Sequence, residues 1–121
     1  MARVIRTTNP LLKDTIIKLE KISKENSVNI WRDLAERLKK PRRMRAEVNL
    51  SKINRYSKPN DTVAVPGKVL GSGSISHPVS VGAFGFSKSA IEKIKDSGGE
   101  CLSLVELAKK NPKGTGVIIM E

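Results

Sequence analysis

The sequence predicts an α/β protein: an N-terminal helical hairpin and a basic arm, followed by a small α/β domain with short, partly parallel strands. Three observations predict it. Apolar residues recur at helical spacing on both sides of a turn before Pro41. After residue 59, β-rich runs alternate with capped helices. Between these two regions the composition turns abruptly cationic. At 121 residues the chain is one ordinary domain, divided here into the hairpin (1–40), the arm (41–58) and the α/β core (59–121). A 38% apolar content, with nine glycines besides, excludes wholesale disorder.

Asn9-Pro10 opens the first helix, with Asn9 as cap and Pro10 at the first helical position. Leu12, Ile16, Leu19 and Ile22 form its apolar stripe. Lys24 to Ser27 reads as a turn, and Ser27 as the cap of a second helix bearing Ile30, Trp31, Leu34, Ala35 and Leu38. Pro41 stops that helix. Val48 to Leu50 alternates like a short strand, and Ser51 caps about one helical turn through Ile53 to Tyr56. Lys58-Pro59-Asn60-Asp61 is turn chemistry. Thr62 to Val65 and Lys68 to Leu70 read as two strands separated by a Pro66-Gly67 turn. Gly71 to Ser74 reads as a flexible loop. Val79 to Phe86 is a strand, with Phe84 and Phe86 on one face. Ser87 caps a helix carrying Ala90, Ile91 and Ile94, and Gly98 closes it. Glu100 to Leu102 is a strand. Ser103 and Glu106 make a capping box for a helix ending near Asn111-Pro112, and Val117 to Met120 is a terminal strand.

Charge points to the partner. The chain has 23 Lys and Arg against 12 Asp and Glu, a formal net charge of +11. Residues 37–58 alone hold nine bases and one acid. The densest part, Arg37 to Arg45, places six cations in nine residues across a helix end. One or two would suit a helix dipole; six suit a polyanion, nucleic acid first and an anionic membrane surface second. The residues of this segment expected to contact nucleic acid are Lys39, Lys40, Arg42, Arg43 and Arg45, then Lys52, Arg55, Tyr56 and Lys58. Tyr56 belongs with them because it lies among cations.

Other chemistries find little support. One cysteine, Cys101, and one histidine, His77, do not supply a zinc set, and no nucleophile motif frames His77. Cys101 reads as a structural thiol. Gly71-Ser72-Gly73 and Lys113-Gly114-Thr115 resemble fragments of phosphate-binding loops without completing one. No catalytic residue, cofactor, metal or small-molecule substrate is expected. No apolar run approaches a membrane span, the N-terminus has no secretory pattern, and a lone cysteine suits the cytoplasm.

Ala46-Glu47-Val48-Asn49-Leu50-Ser51-Lys52-Ile53 and Val63 to Gly73 resemble the eighteen-e family of large-subunit ribosomal proteins, relatives of bacterial ribosomal protein L-fifteen. The similarity continues through Val81 to Ser87, Gly98 to Cys101 and Asn111 to Gly114. Thr8-Asn9-Pro10 and Trp31 to Ala35 also fit, so it covers essentially the whole chain. Gly85 departs from the pattern, standing where serine is expected. Lack of the longer basic tail of eukaryotic members implies an archaeal type. The resemblance implies an α/β fold with a helical pair, a structural role in the large subunit, and ribosomal RNA and neighbouring ribosomal proteins as partners. It also implies that Lys39 to Arg45 and Pro66-Gly67-Lys68 face RNA. The residues alone leave open a free-standing nucleic-acid-binding or ribosome-assembly factor, or a small nucleotide-using enzyme.

Overall fold

The computed structural model describes residues 9–41 and 45–121. Arg42 and Arg43, two of the expected phosphate contacts, lie outside the described residues. Ten elements follow in order: α1 (Pro10–Asn26), α2 (Ile30–Leu38), β1 (Ala46–Asn49), α3 (Leu50–Tyr56) and β2 (Thr62–Leu70), then β3 (Ser80–Phe86), α4 (Lys88–Asp96), β4 (Glu100–Ser103), α5 (Leu104–Lys110) and β5 (Val117–Ile119).

α1 starts where the sequence indicates. Asn9 Oδ1 accepts from the amides of Leu11 and Leu12 at 3.0 and 3.3 Å. It continues a turn further than expected, because Ser27 closes α1 rather than capping α2. Ser27 takes a left-handed conformation (φ 54°). Its amide and that of Val28 return to the carbonyls of Lys24 and Ser23, a Schellman closure that satisfies the free end of the helix. Asn29 occupies the cap position of α2 without a side-chain capping bond.

Every strand pairing among the described residues is parallel. β2 is the hub. β3 lies along one side, and β5 and β1 pair in tandem with its first and last residues on the other. Pro66-Gly67 is therefore not a turn: it lies inside β2, where the pairing register with β3 shifts between Val65 and Lys68. Proline is tolerated within a strand at such an irregularity. Gly67 is needed for a different reason, since any Cβ there would overlap the carbonyl oxygen of Ala46 on β1.

The sheet divides two cores. Leu12, Ile16 and Leu19 of α1, Trp31, Leu34 and Leu38 of α2, and Leu104 and Leu107 of α5 pack against one face around Ala64. Leu50 and Ile53 of α3 and Ala90 and Ile94 of α4 pack against the other, over Val63, Val65, Val69 and Val81. The result is a three-layer sandwich. Phe84 and Phe86 do not share a face: Phe84 joins the first core and Phe86 the second. Beyond the register shift Phe86 pairs with Val69, which faces α3 and α4, and Phe86 turns with it. The expected arm over 41–58 is, from Ala46 to Tyr56, built into this sandwich as β1 and α3. Val48, Leu50 and Ile53 are the reason, each fully buried.

Candidate nucleic-acid interface

The fold separates the expected contact residues into three groups. The first sits at the end of α2. Lys39 is the least accessible, with a side chain only 4% exposed. Its ammonium lies 2.9 Å from Glu36 and 3.3 Å from Glu20 across the hairpin. Burial pulls the Lys39 pKa down, but hydrogen bonds and charge from Glu36 and Glu20 outweigh it and hold the ammonium above its ordinary value. Arg37 pairs with Asp33 on its own helix at 3.1 Å and with Glu121 at 3.0 Å. Its pKa is raised, chiefly by the hydrogen bond to Asp33. Lys40 lies 3.6 Å from the Glu121 carboxylate.

A second group lines a cleft of about 760 Å³ between α1 and the start of β1. Arg45 and Lys68 lie on its wall with Asn9, Leu11, Phe84 and one acid, Glu47. Parallel pairing sets Lys68 level with Glu47. Lys68 projects to solvent from a strand whose other central residues are buried.

The third group is the outer face of α3. Lys52 and Tyr56 are one turn apart and Arg55 lies beside them, so they share a helix face. With Ser51 they line a shallow depression of about 260 Å³. Tyr56 is 60% exposed, and the Arg55 guanidinium stands 5.9 Å from its ring centroid. Lys52 donates to the main-chain oxygen of Glu121. Lys58 follows in the exposed turn where its amide donates to Asp61 Oδ2 at 2.8 Å.

A seven-residue helix has little stability of its own, and the 71–77 loop holds α3 in place. The Ser51 amide donates to the Ser72 carbonyl at 3.2 Å. Asn54 Oδ1 accepts from both the amide and the hydroxyl of Ser76 at 3.0 Å. Ser57 Oγ lies 3.0 Å from His77 Nε2. The loop is itself tied to α4, because Lys93 Nζ donates to the carbonyls of Gly71 and Gly73 at 2.7 and 2.8 Å. The Gly-Ser stretch that reads as flexible is thus a strut. Sequence reasoning missed Lys93 and Glu121, and no local signal marks them. Their partners lie about twenty residues away for Lys93 and sixty-nine for the Glu121–Lys52 contact.

Cys101 is half-buried against the second core. Burial pushes its thiol pKa up, against a smaller downward pull from Lys95. Among the described residues, no group of His, Cys, Asp and Glu is placed to hold a metal ion, and no helix is long and apolar enough to cross a membrane.

An α/β sandwich with exposed cations and an exposed aromatic on one short helix defines a basic α/β protein. The chain belongs to the family of ribosomal protein 60S L18 and 50S L18e, whose profile matches residues 3–121. It is 53% identical over 116 residues to the large ribosomal subunit protein eL18 of Archaeoglobus fulgidus, covering 96% of this chain and 99% of the relative. It is 50% identical to the protein of the same name from Methanoregula boonei, covering 99% of each chain. For the one from Methanothermobacter thermautotrophicus the identity is 49% over the full length of both. The resemblance read from the sequence is therefore the right one, and its archaeal character agrees with these relatives. As a member of this family the chain is a ribosomal protein, a structural class rather than a catalytic one.

Proposed function

We propose that this chain binds and stabilises large-subunit ribosomal RNA within the cytoplasmic ribosome, beside neighbouring ribosomal proteins. The observation that carries the reading is the full-length match to proteins named for the large subunit. The surface supports it: Lys52, Arg55, Lys58 and Lys68 are exposed on a chain with a net charge of +11. Arg45 shares a cleft with Lys68, and Lys40, Arg42 and Arg43 precede Arg45 in the sequence. Each cation that meets a phosphate releases counterions, which drives binding. Lys39 stands apart from this set. Its ammonium holds the helical hairpin together and serves the interface by fixing α2.

Two measurements test the proposal. After a high-salt wash of ribosomes the chain should remain with large subunits at one copy each; release into the supernatant would favour a free-standing assembly factor. Purified protein should bind large-subunit RNA fragments with an affinity that falls steeply with salt. A salt-independent affinity would remove the phosphate reading.

A further inference from the structure

We propose that Tyr56 is a stacking platform for one unpaired base of the bound RNA, with Lys52 and Arg55 receiving the phosphates that flank it. The proposal rests on the RNA-binding reading above and names the kind of RNA element this face takes.

The aromatic inventory makes the case first. The chain has one Trp, one Tyr and two Phe. Trp31 is fully buried, and its Nε1 donates to the Pro112 carbonyl at 2.8 Å. Phe84 and Phe86 are half-buried against the two cores. Of the four rings Tyr56 is the most open to solvent, at 60% exposure. An exposed aromatic surrounded by cations matches single-stranded nucleic acid better than duplex, because paired bases hide their faces.

Geometry makes the case second. Lys52, Arg55 and Tyr56 line one depression on one helix face. The Arg55 guanidinium lies near the outer limit of cation–π contact, so it adjoins the ring and leaves much of it open. The Lys52 ammonium has three donors, and its contact with the main-chain oxygen of Glu121 uses one.

Rigidity makes the case third. α3 is anchored from below by Leu50 and Ile53 and from the side by the 71–77 loop. A platform fixed before binding loses little freedom on binding.

The test uses the full chain and two RNAs with equal numbers of phosphates. One is a single strand carrying 2-aminopurine, a fluorescent base that dims on stacking. The other is a perfect duplex. Wild-type protein should quench the single strand. Tyr56→Ala should abolish the quenching and weaken single-strand binding about 5- to 150-fold, the span of one base–aromatic stack. The loss should be equal at low and high salt, because no charge is removed. Tyr56→Phe should behave as wild type, and duplex affinity should not depend on residue 56. Arg55→Ala should instead shrink the salt dependence. If Tyr56→Ala leaves affinity and quenching intact while Arg55→Ala weakens binding, stacking is overturned and the RNA reading stands. If the wild-type chain binds neither RNA, both fall. Amide exchange of Leu50 and Ile53 in each variant confirms that α3 remains folded.

Discussion

The end of α2 and the outer face of α3 belong to one basic stretch of sequence, yet the fold treats their cations oppositely. At the end of α2, Arg37, Lys39 and Lys40 face Asp33, Glu36, Glu20 and Glu121. On α3, Arg55 faces a tyrosine ring and solvent. Formal charge in a sequence is therefore not binding charge. A cation already held by a carboxylate must give up that partner before it gains from a phosphate, whereas an open one exchanges only mobile counterions. The same contrast explains why the densest cluster is partly architectural. Glu20 comes from α1, so the pair it makes with Lys39 bridges the two helices of the hairpin.

The comparison can be broken most directly through its open side. Changing Arg55, Lys58 and Lys68 together to Ala should reduce the slope of log affinity against log salt by roughly 2 to 3 units, if each meets one phosphate. Thermal stability should hardly move, because exposed charges contribute little to folding. An unchanged slope would shift the phosphate contacts to Lys40, Arg42, Arg43 and Arg45.

The closed side gives the opposite signature. Lys39→Ala should cost about 1 kcal/mol of stability by leaving Glu20 and Glu36 without their shared ammonium. The RNA salt slope should stay as it was. Because the Lys39 pKa is raised in the folded state, its contribution is complete below the unfolded lysine value. It fades as strongly alkaline pH passes through the folded value. Denaturant titrations of wild type and variant should therefore converge at high pH. A variant that keeps full stability but loses RNA affinity would place Lys39 among the contacts.

Glu121 marks the boundary between the two regions, because it touches Arg37, Lys40 and Lys52 at once. Glu121→Gln should leave Lys40 open to phosphate and raise the salt slope by at most about one unit. A lower slope would mean that Glu121 orients these cations rather than competing for them.

This division was only half legible in the sequence. Local devices were readable: the Asn9 cap, the Ser87 cap and the Ser103–Glu106 box all form as their residues predict. The alternation of strands and helices gave the fold class, since each parallel strand needs a crossover. Pro66-Gly67 misled because its turn chemistry is local while the reason for it is not. The glycine is required by Ala46 on a neighbouring strand. The basic segment misled similarly: counting charges does not show that Val48, Leu50 and Ile53 bury 46–56 in the sandwich, or that Glu20 reaches Lys39. The exposure of Tyr56 follows from its place on α3, on the face turned away from buried Leu50 and Ile53.

Lys110 and Glu100 offer the smallest and most discriminating case: a pair that is closed like Lys39 but exposed like Lys68. They meet at 2.6 Å with side chains 61% and 43% exposed. The hydrogen bond from Lys110 holds the Glu100 carboxyl below its ordinary value, against a smaller opposing effect of burial, and the Ser80 hydroxyl adds to it at 3.2 Å. A depressed carboxyl contributes stability above its unfolded value and loses it as pH falls through the folded one. Lys110→Met should thus lower stability at neutral pH by roughly 0.5 kcal/mol or less, given the solvent around the pair. The difference from wild type should disappear in strong acid. It should also shrink at high salt, which screens exposed pairs and spares buried ones, whereas the Lys39→Ala cost should persist. Urea titrations of both variants across pH and salt measure this. Equal salt sensitivity in the two would mean that burial does not separate closed cations from open ones, and the contrast between α2 and α3 would then rest on partner identity alone.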